Sequence, residues 1–140
     1  MLRKKTDEQD PADWLAFAQE RLAAADLLKA REELTPACIE CLQEAAGRLL
    51  KGYLIAKDWS LVKSLDLRRL VRDAGRFDSR FLKFLPLAEN LTADFFAQHY
   101  PGGDLTHVGE NYETLRQQTG ELVALIRESL SQYFTDPEKP

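Results

Sequence analysis

Few features that mark an enzyme are present in this chain. It contains no complete catalytic motif, only two cysteines and two histidines, and only seven glycines and six prolines in 140 residues. The glycines and prolines fall at intervals between long segments, which excludes a low-complexity linker. Charged residues interrupt every apolar run well before the ~20 residues that a bilayer crossing requires, so no membrane partner is expected. The opening residues, Met1-Leu2-Arg3-Lys4-Lys5-Thr6-Asp7-Glu8, are charged with no apolar run behind them, unlike a secretory signal. With so little cysteine, the expected compartment is a reducing cytoplasm and no disulfide framework is expected. Neither a metal nor any other cofactor is expected.

What is there fits a globular protein. The composition is 44% hydrophobic and 30% charged, and the length suits one hydrophobic core. The formal net charge of −4 argues against indiscriminate nucleic-acid binding. The average hides an asymmetry. Between Lys63 and Lys83 seven bases face three acids, which makes that segment +4 and the remainder of the chain −8.

The periodicity is helical throughout. Asp10-Pro11 reads as an N-cap followed by a proline at the first helical position, with Asp13 in the first turn. Trp14, Phe17, Leu22, Ala25 and Leu28 then recur at helical steps as far as about Arg31. Thr35-Pro36 repeats the start signal, and Cys38, Cys41/Leu42, Ala45, Leu49 and Tyr53 form a second seam to about Lys57. Asp58-Trp59-Ser60 reads as a loop. A shorter helix is expected from a Ser64 cap to Ala74, ended by Gly75. Phe77 to Phe96 is helical by pattern but contains Pro86, so two pieces or a kink are expected. Tyr100-Pro101-Gly102-Gly103-Asp104 is a turn, and a last helix spans about Val108 to Phe134, with Tyr112, Leu115, Leu122, Ile126 and Leu130 inward. No segment alternates as a strand would. The expectation is an all-α, up-and-down antiparallel bundle of four to five helices over residues 10–134, with tails at 1–9 and 135–140.

Cys38-Ile39-Glu40-Cys41 has the spacing of a redox pair or half a zinc site. No second Cys/His pair completes a metal shell and no strand precedes the motif, so the thiols read as small hydrophobes on one helix face. His99 and His107 could act as a catalytic pair or with Asp94 or Asp104, and serve equally as helix-end groups. Arg68, Arg72 and Arg76 follow one another at steps of four and form a basic ridge. It is either a phosphate-binding surface or a solvated face partly neutralised by Asp73 and Asp78. Arg48 and Lys51 sit beside Tyr53 on the second helix, where long bases can also simply snorkel.

Read whole, Gln43-Glu44-Ala45-Ala46-Gly47-Arg48-Leu49-Leu50-Lys51-Gly52-Tyr53-Leu54-Ile55 resembles the second-helix signature of HEPN domains, a Gln-Ala-Ala-Glu-Lys-x-Leu-Lys-x-Tyr-Leu-type run. Leu65-Asp66-Leu67 is similar to the family's His-Asp-Leu. Phe77-Asp78, Leu91-Thr92 and His99-Tyr100-Pro101-Gly102 look like the stretch that ends in its Arg-Tyr-Pro-Gly turn. The order holds from about Trp14 to Leu130. Three positions depart: the family's glutamate falls on Gly47, its histidine on Leu65 and its arginine on His99. Many HEPN proteins are metal-independent ribonucleases carrying Arg-x(4–6)-His, and no arginine precedes His99 or His107 at that interval.

The resemblance implies a helical bundle forming a homodimer with a cleft between protomers, often partnered with a minimal nucleotidyltransferase in toxin–antitoxin pairs. Carried over by position, Arg48, Lys51, Tyr53, Asp66, His99 and Tyr100 lie at or near that cleft. The expected function is a non-catalytic module that binds a nucleotide or RNA, or pairs with the nucleotidyltransferase. One competing expectation is an RNase using His99 or His107 with a cation such as Arg72. Another is a structural interaction domain that docks through its acidic last helix.

Overall fold

The computed structural model describes residues 5–31, 36–64, 66–99, 101–102 and 110–133, without the side chain of His99. Among them every regular element is helical: α1 (Pro11–Ala30), α2 (Pro36–Ala56), α3 (Leu67–Phe77), a 3-10 segment (Ser79–Phe84), α4 (Leu85–His99), α5 (Tyr112–Ser129) and a short 3-10 turn (Ser131–Tyr133).

The hub is α2. It packs against α1, α3, α4 and α5, and it buries residues around most of its circumference, including Cys38, Leu42, Ala46, Leu49, Leu50 and Leu54. A helix apolar on most sides belongs inside a bundle. The seam read from the sequence is only one side of this surface. Gly52 permits the close approach of α1, because a Cβ there would sit 3.0 Å from Leu15 Cδ2 and 3.1 Å from Trp14 Cβ.

The helix ends follow their residues. Asp10 caps α1, its carboxylate accepting from the Ala12 N–H at 3.0 Å. The face of α1 that is fully buried runs through Leu15, Ala18, Leu22 and Ala25. The expected stripe is thus one position off at its start, and Trp14 and Phe17 are only half-buried. The tail expected over residues 1–9 is tied down at its end. The Asp7 N–H donates to Asp13 at 2.8 Å, and the Trp14 indole N–H donates to the Glu8 carbonyl at 2.8 Å.

At its other end α2 closes with Asp58 at φ 61°. The Trp59 N–H reaches back to the Leu54 carbonyl and the Asp58 N–H to Ile55. This double bond pattern over a left-handed residue reverses the chain and turns Trp59 onto the bundle.

Asp66, not Ser64, caps α3, accepting from the Arg68 N–H at 3.0 Å. Gly75 lies inside α3 rather than beyond its end, where a Cβ would run into Leu82 at 2.5 Å. Asp78 caps the 3-10 segment through the Arg80 N–H. Pro86 falls in the first turn of α4, where its missing N–H costs nothing, so the stretch divides in two as expected. All five residues expected inward on the last helix are buried, although α5 begins at Tyr112 and Leu130 lies just past its end. Cys38 and Cys41 form no disulfide among the described residues, and Cys38 lies within the core.

Candidate functional site

The side chains of Gln43, Glu44, Gly47, Arg48 and Lys51 recur at steps of one, three and four along α2 and so share one flank of it. That flank opens on a pocket of about 430 Å³, closed on other sides by Trp14 from α1, Ser64 and Leu67 at the start of α3, and Phe95 from α4. Gly47 makes the space. A Cβ there meets only Leu67 Cδ2, at an ordinary 3.4 Å, so any longer side chain would occupy the pocket itself.

The two cations are held by aromatic faces. Lys51 Nζ lies 5.6 Å from the Trp14 ring centroid and the Arg48 guanidinium 5.8 Å from that of Phe17. The bond from Trp14 to the Glu8 carbonyl fixes the indole beneath the lysine. Arg48 also pairs with Glu44 at 3.3 Å, a carboxylate shared with Arg21 at 3.4 Å. Lys51 has no carboxylate partner among the described residues. Burial first, and then the neighbouring Arg48, hold its pKa below the ordinary lysine value. The pocket therefore contains a half-buried ammonium that pairs with no carboxylate, while Glu44, its one lining acid, is engaged by Arg48 and Arg21.

The other residues expected at the cleft divide. Tyr53 does not join Arg48 and Lys51. Its ring is 1% exposed and lies 4.4 Å from that of Phe81, because position 53 points to the core side of α2. Asp66 is occupied as the α3 cap and by Arg68, whose Nε is 3.1 Å from its carboxylate. The hydrogen bonds from Arg68 hold the Asp66 carboxyl below the usual range. The side chain of His99, together with Tyr100 and His107, lies outside the described residues, as does most of the Tyr100–Asp104 turn. Within that turn Gly102 takes φ 93°. His99 ends α4 one helical turn after Phe95.

The expected ridge is rearranged as well. Pairing with Asp66 draws Arg68 away, and Arg69 takes its place beside Arg72 and Arg76 in a second groove. Among the described residues no three His, Cys, Asp or Glu side chains group as metal ligands, and no helix is long and apolar enough to cross a membrane.

Trp14, Gln43, Gly47 and Phe95 also line the pocket, although they are not among the residues expected at the cleft. The 43–47–51 spacing carried a signal for the α2 members, since steps of four align on a helix. Nothing in the local sequence linked Phe95, more than forty residues away, to them.

A family model described as HEPN domain matches residues 11–129, nearly the whole bundle. No curated protein and no solved structure matches this chain. Proteins of the matched family are generally RNA-binding or RNase-related, and their domains often form dimers. The match covers α1 through α5 without interruption and takes in every residue that lines the pocket. The chain belongs to the HEPN domain family.

Proposed function

We propose that this protein is a non-catalytic HEPN module that binds a nucleotide or RNA phosphate in the pocket between α1, α2 and α4. The observation that carries this reading is Lys51, a half-buried cation without a carboxylate among the described residues. An anion entering the pocket gains the attraction of Lys51 and Arg48 in surroundings less screened than water. It also removes the repulsion between these two bases. Trp14 and Phe95 offer ring surface to a base. With Gly47 in place of the family's glutamate, the pocket is open, and its one carboxylate, Glu44, is shared between Arg48 and Arg21.

In the same reading the module acts as a cytoplasmic homodimer and pairs with a minimal nucleotidyltransferase in a toxin–antitoxin-like system. The family resemblance supports that part. Arg48 and Lys51 hold phosphate charge, and the family resemblance adds His99 and Tyr100 to the binding residues.

The chain has two tryptophans, and Trp14 is the one in this pocket. In a Trp59→Phe background, AMP or a short RNA is expected to change Trp14 fluorescence saturably. Lys51→Ala should weaken that binding about tenfold or more, the scale of one charge-assisted hydrogen bond. Unchanged binding by Lys51→Ala would reject the assignment. Cleavage of total RNA in the presence of chelator, abolished in His99→Ala and His107→Ala, would reject the non-catalytic reading.

A further inference from the structure

Beside the segment joining α2 to α3 lies a larger groove of about 570 Å³ that shares no lining residue with the Arg48–Lys51 pocket. Ser60 and Val62 of that segment line this groove, whereas Ser64 lines the Arg48–Lys51 pocket. The groove's walls are Trp59, Arg69, Arg72, Asp73, Arg76 and Phe77.

Its charges are unevenly committed. Asp73 accepts from the Trp59 indole N–H at 3.1 Å and stands 4.0 Å from Arg69 Nε. It is therefore engaged with the groove's own wall. Arg72 and Arg76 are exposed and pair with no carboxylate among the described residues. Three arginines against one aspartate leave the groove at +2.

Its apolar part is also held ready. The reversal at Asp58 and the bond to Asp73 fix the Trp59 ring, which packs partly on the core. Phe77 ends α3 with half of its surface in solvent.

We infer that this groove is a second site, separate from the Arg48–Lys51 pocket, which binds a single-stranded RNA segment. Arg72 and Arg76 contact successive phosphates, and a base lies against Phe77 and Trp59. Free guanidinium groups beside fixed aromatic faces suit a flexible strand, since every base has a face to stack and every linkage a phosphate. An acidic protein surface would satisfy the arginines but leave the rings unused. The choice of RNA rests on the proposed function; the site itself does not depend on the pocket.

Each tryptophan reports one site. In Trp14→Phe protein the remaining Trp59 reads only the groove, so failure here is distinguishable from failure at the pocket. Titrating that variant with an oligouridylate of about eight nucleotides is expected to quench Trp59 saturably at low salt. Arg72→Ala/Arg76→Ala should flatten the plot of log affinity against log salt by about 1.4, or roughly 0.7 for each single-strand phosphate that is no longer neutralised. Arg72→Lys/Arg76→Lys should keep most of that slope. Phe77→Ala should weaken binding about tenfold, the scale of one stacked base. No quenching at low salt would overturn the inference. An unchanged slope in the double alanine variant, with helicity intact by circular dichroism, would do the same. Preferential binding of polyglutamate over oligouridylate would replace the RNA site with a protein-docking surface and would equally overturn it.

Discussion

The Arg48–Lys51 pocket, with two cations, and the Arg72–Arg76 groove, with three, each present a tryptophan, yet their physics differs. In the pocket the cations grow from α2, the most buried helix, and Lys51 is desolvated enough to lower its pKa. In the groove they project from α3 into solvent. A desolvated cation interacts strongly with an anion that fits and is weakly screened by salt, whereas an exposed one attracts any phosphate and is strongly screened. In the proposed reading the first arrangement selects a ligand by shape and the second adds reach along a strand.

The most forceful way to break this contrast is to remove their common support. Leu122 on α5 is buried and lines one small internal void with Ala46 and Leu50 of α2 and Leu67 and Val71 of α3, the two helices that carry the sites' cations. Leu122→Ala should cost ~2–5 kcal/mol in chemical denaturation. Both tryptophan reporters should lose binding together at the same denaturant concentration. Independent loss would mean that the sites do not share one cooperative unit.

Gly47→Glu separates the two sites without unfolding the protein. A glycine inside a helix costs ~0.5–1 kcal/mol relative to alanine, and a Cβ at position 47 has room. Thermal stability should hold or rise, binding read at Trp14 should drop tenfold or more, and binding read at Trp59 should stay. Retained binding at Trp14 would place the ligand elsewhere.

A smaller effect comes from Asp66. Loss of the α3 cap in Asp66→Ala should cost about 1 kcal/mol near neutral pH; the partly exposed pairing with Arg68 adds little after screening. Because Arg68 lowers the Asp66 pKa, its contribution is present above the ordinary aspartate value of 3.8 and is lost as pH falls through the lowered one. The stability gap between wild type and variant should therefore close in acid. A gap that persists unchanged at the lowest pH would show that charge plays no part in it.

The fold is largely legible in the sequence because its signals are local. Caps such as Asp10-Pro11, the proline in the first turn of α4 and the inward set on α5 need only neighbouring residues to be read. The errors have the same origin. Serine suits a cap, which favours Ser64, while Asp66, two residues on, takes the position and gains Arg68 as a second partner. Position in a motif puts Tyr53 at the cleft, but position 53 lies on the core side of α2, where the ring is buried against Phe81 from a distant part of the chain.

Arg48 and Lys51 are recoverable from the motif. Their aromatic supports are not, since Trp14 and Phe17 follow from the rotation of α1 on α2, set by the contact at Gly52. The switch from Arg68 to Arg69 in the groove likewise turns on one ion pair.

Lys51 carries the central claim, and its side-chain resonance tests it most directly. Following the 13Cε shift of Lys51 against pH, the free protein should titrate below the ordinary lysine value of 10.5. The unfolded chain then binds more protons between the lowered value and 10.5, so the ligand-free fold gains stability as pH rises through that window while anion binding weakens. Saturating AMP or RNA should move the midpoint upward, since a bound phosphate favours the charged ammonium. A midpoint that is the same with and without ligand would contradict an anion site at Lys51.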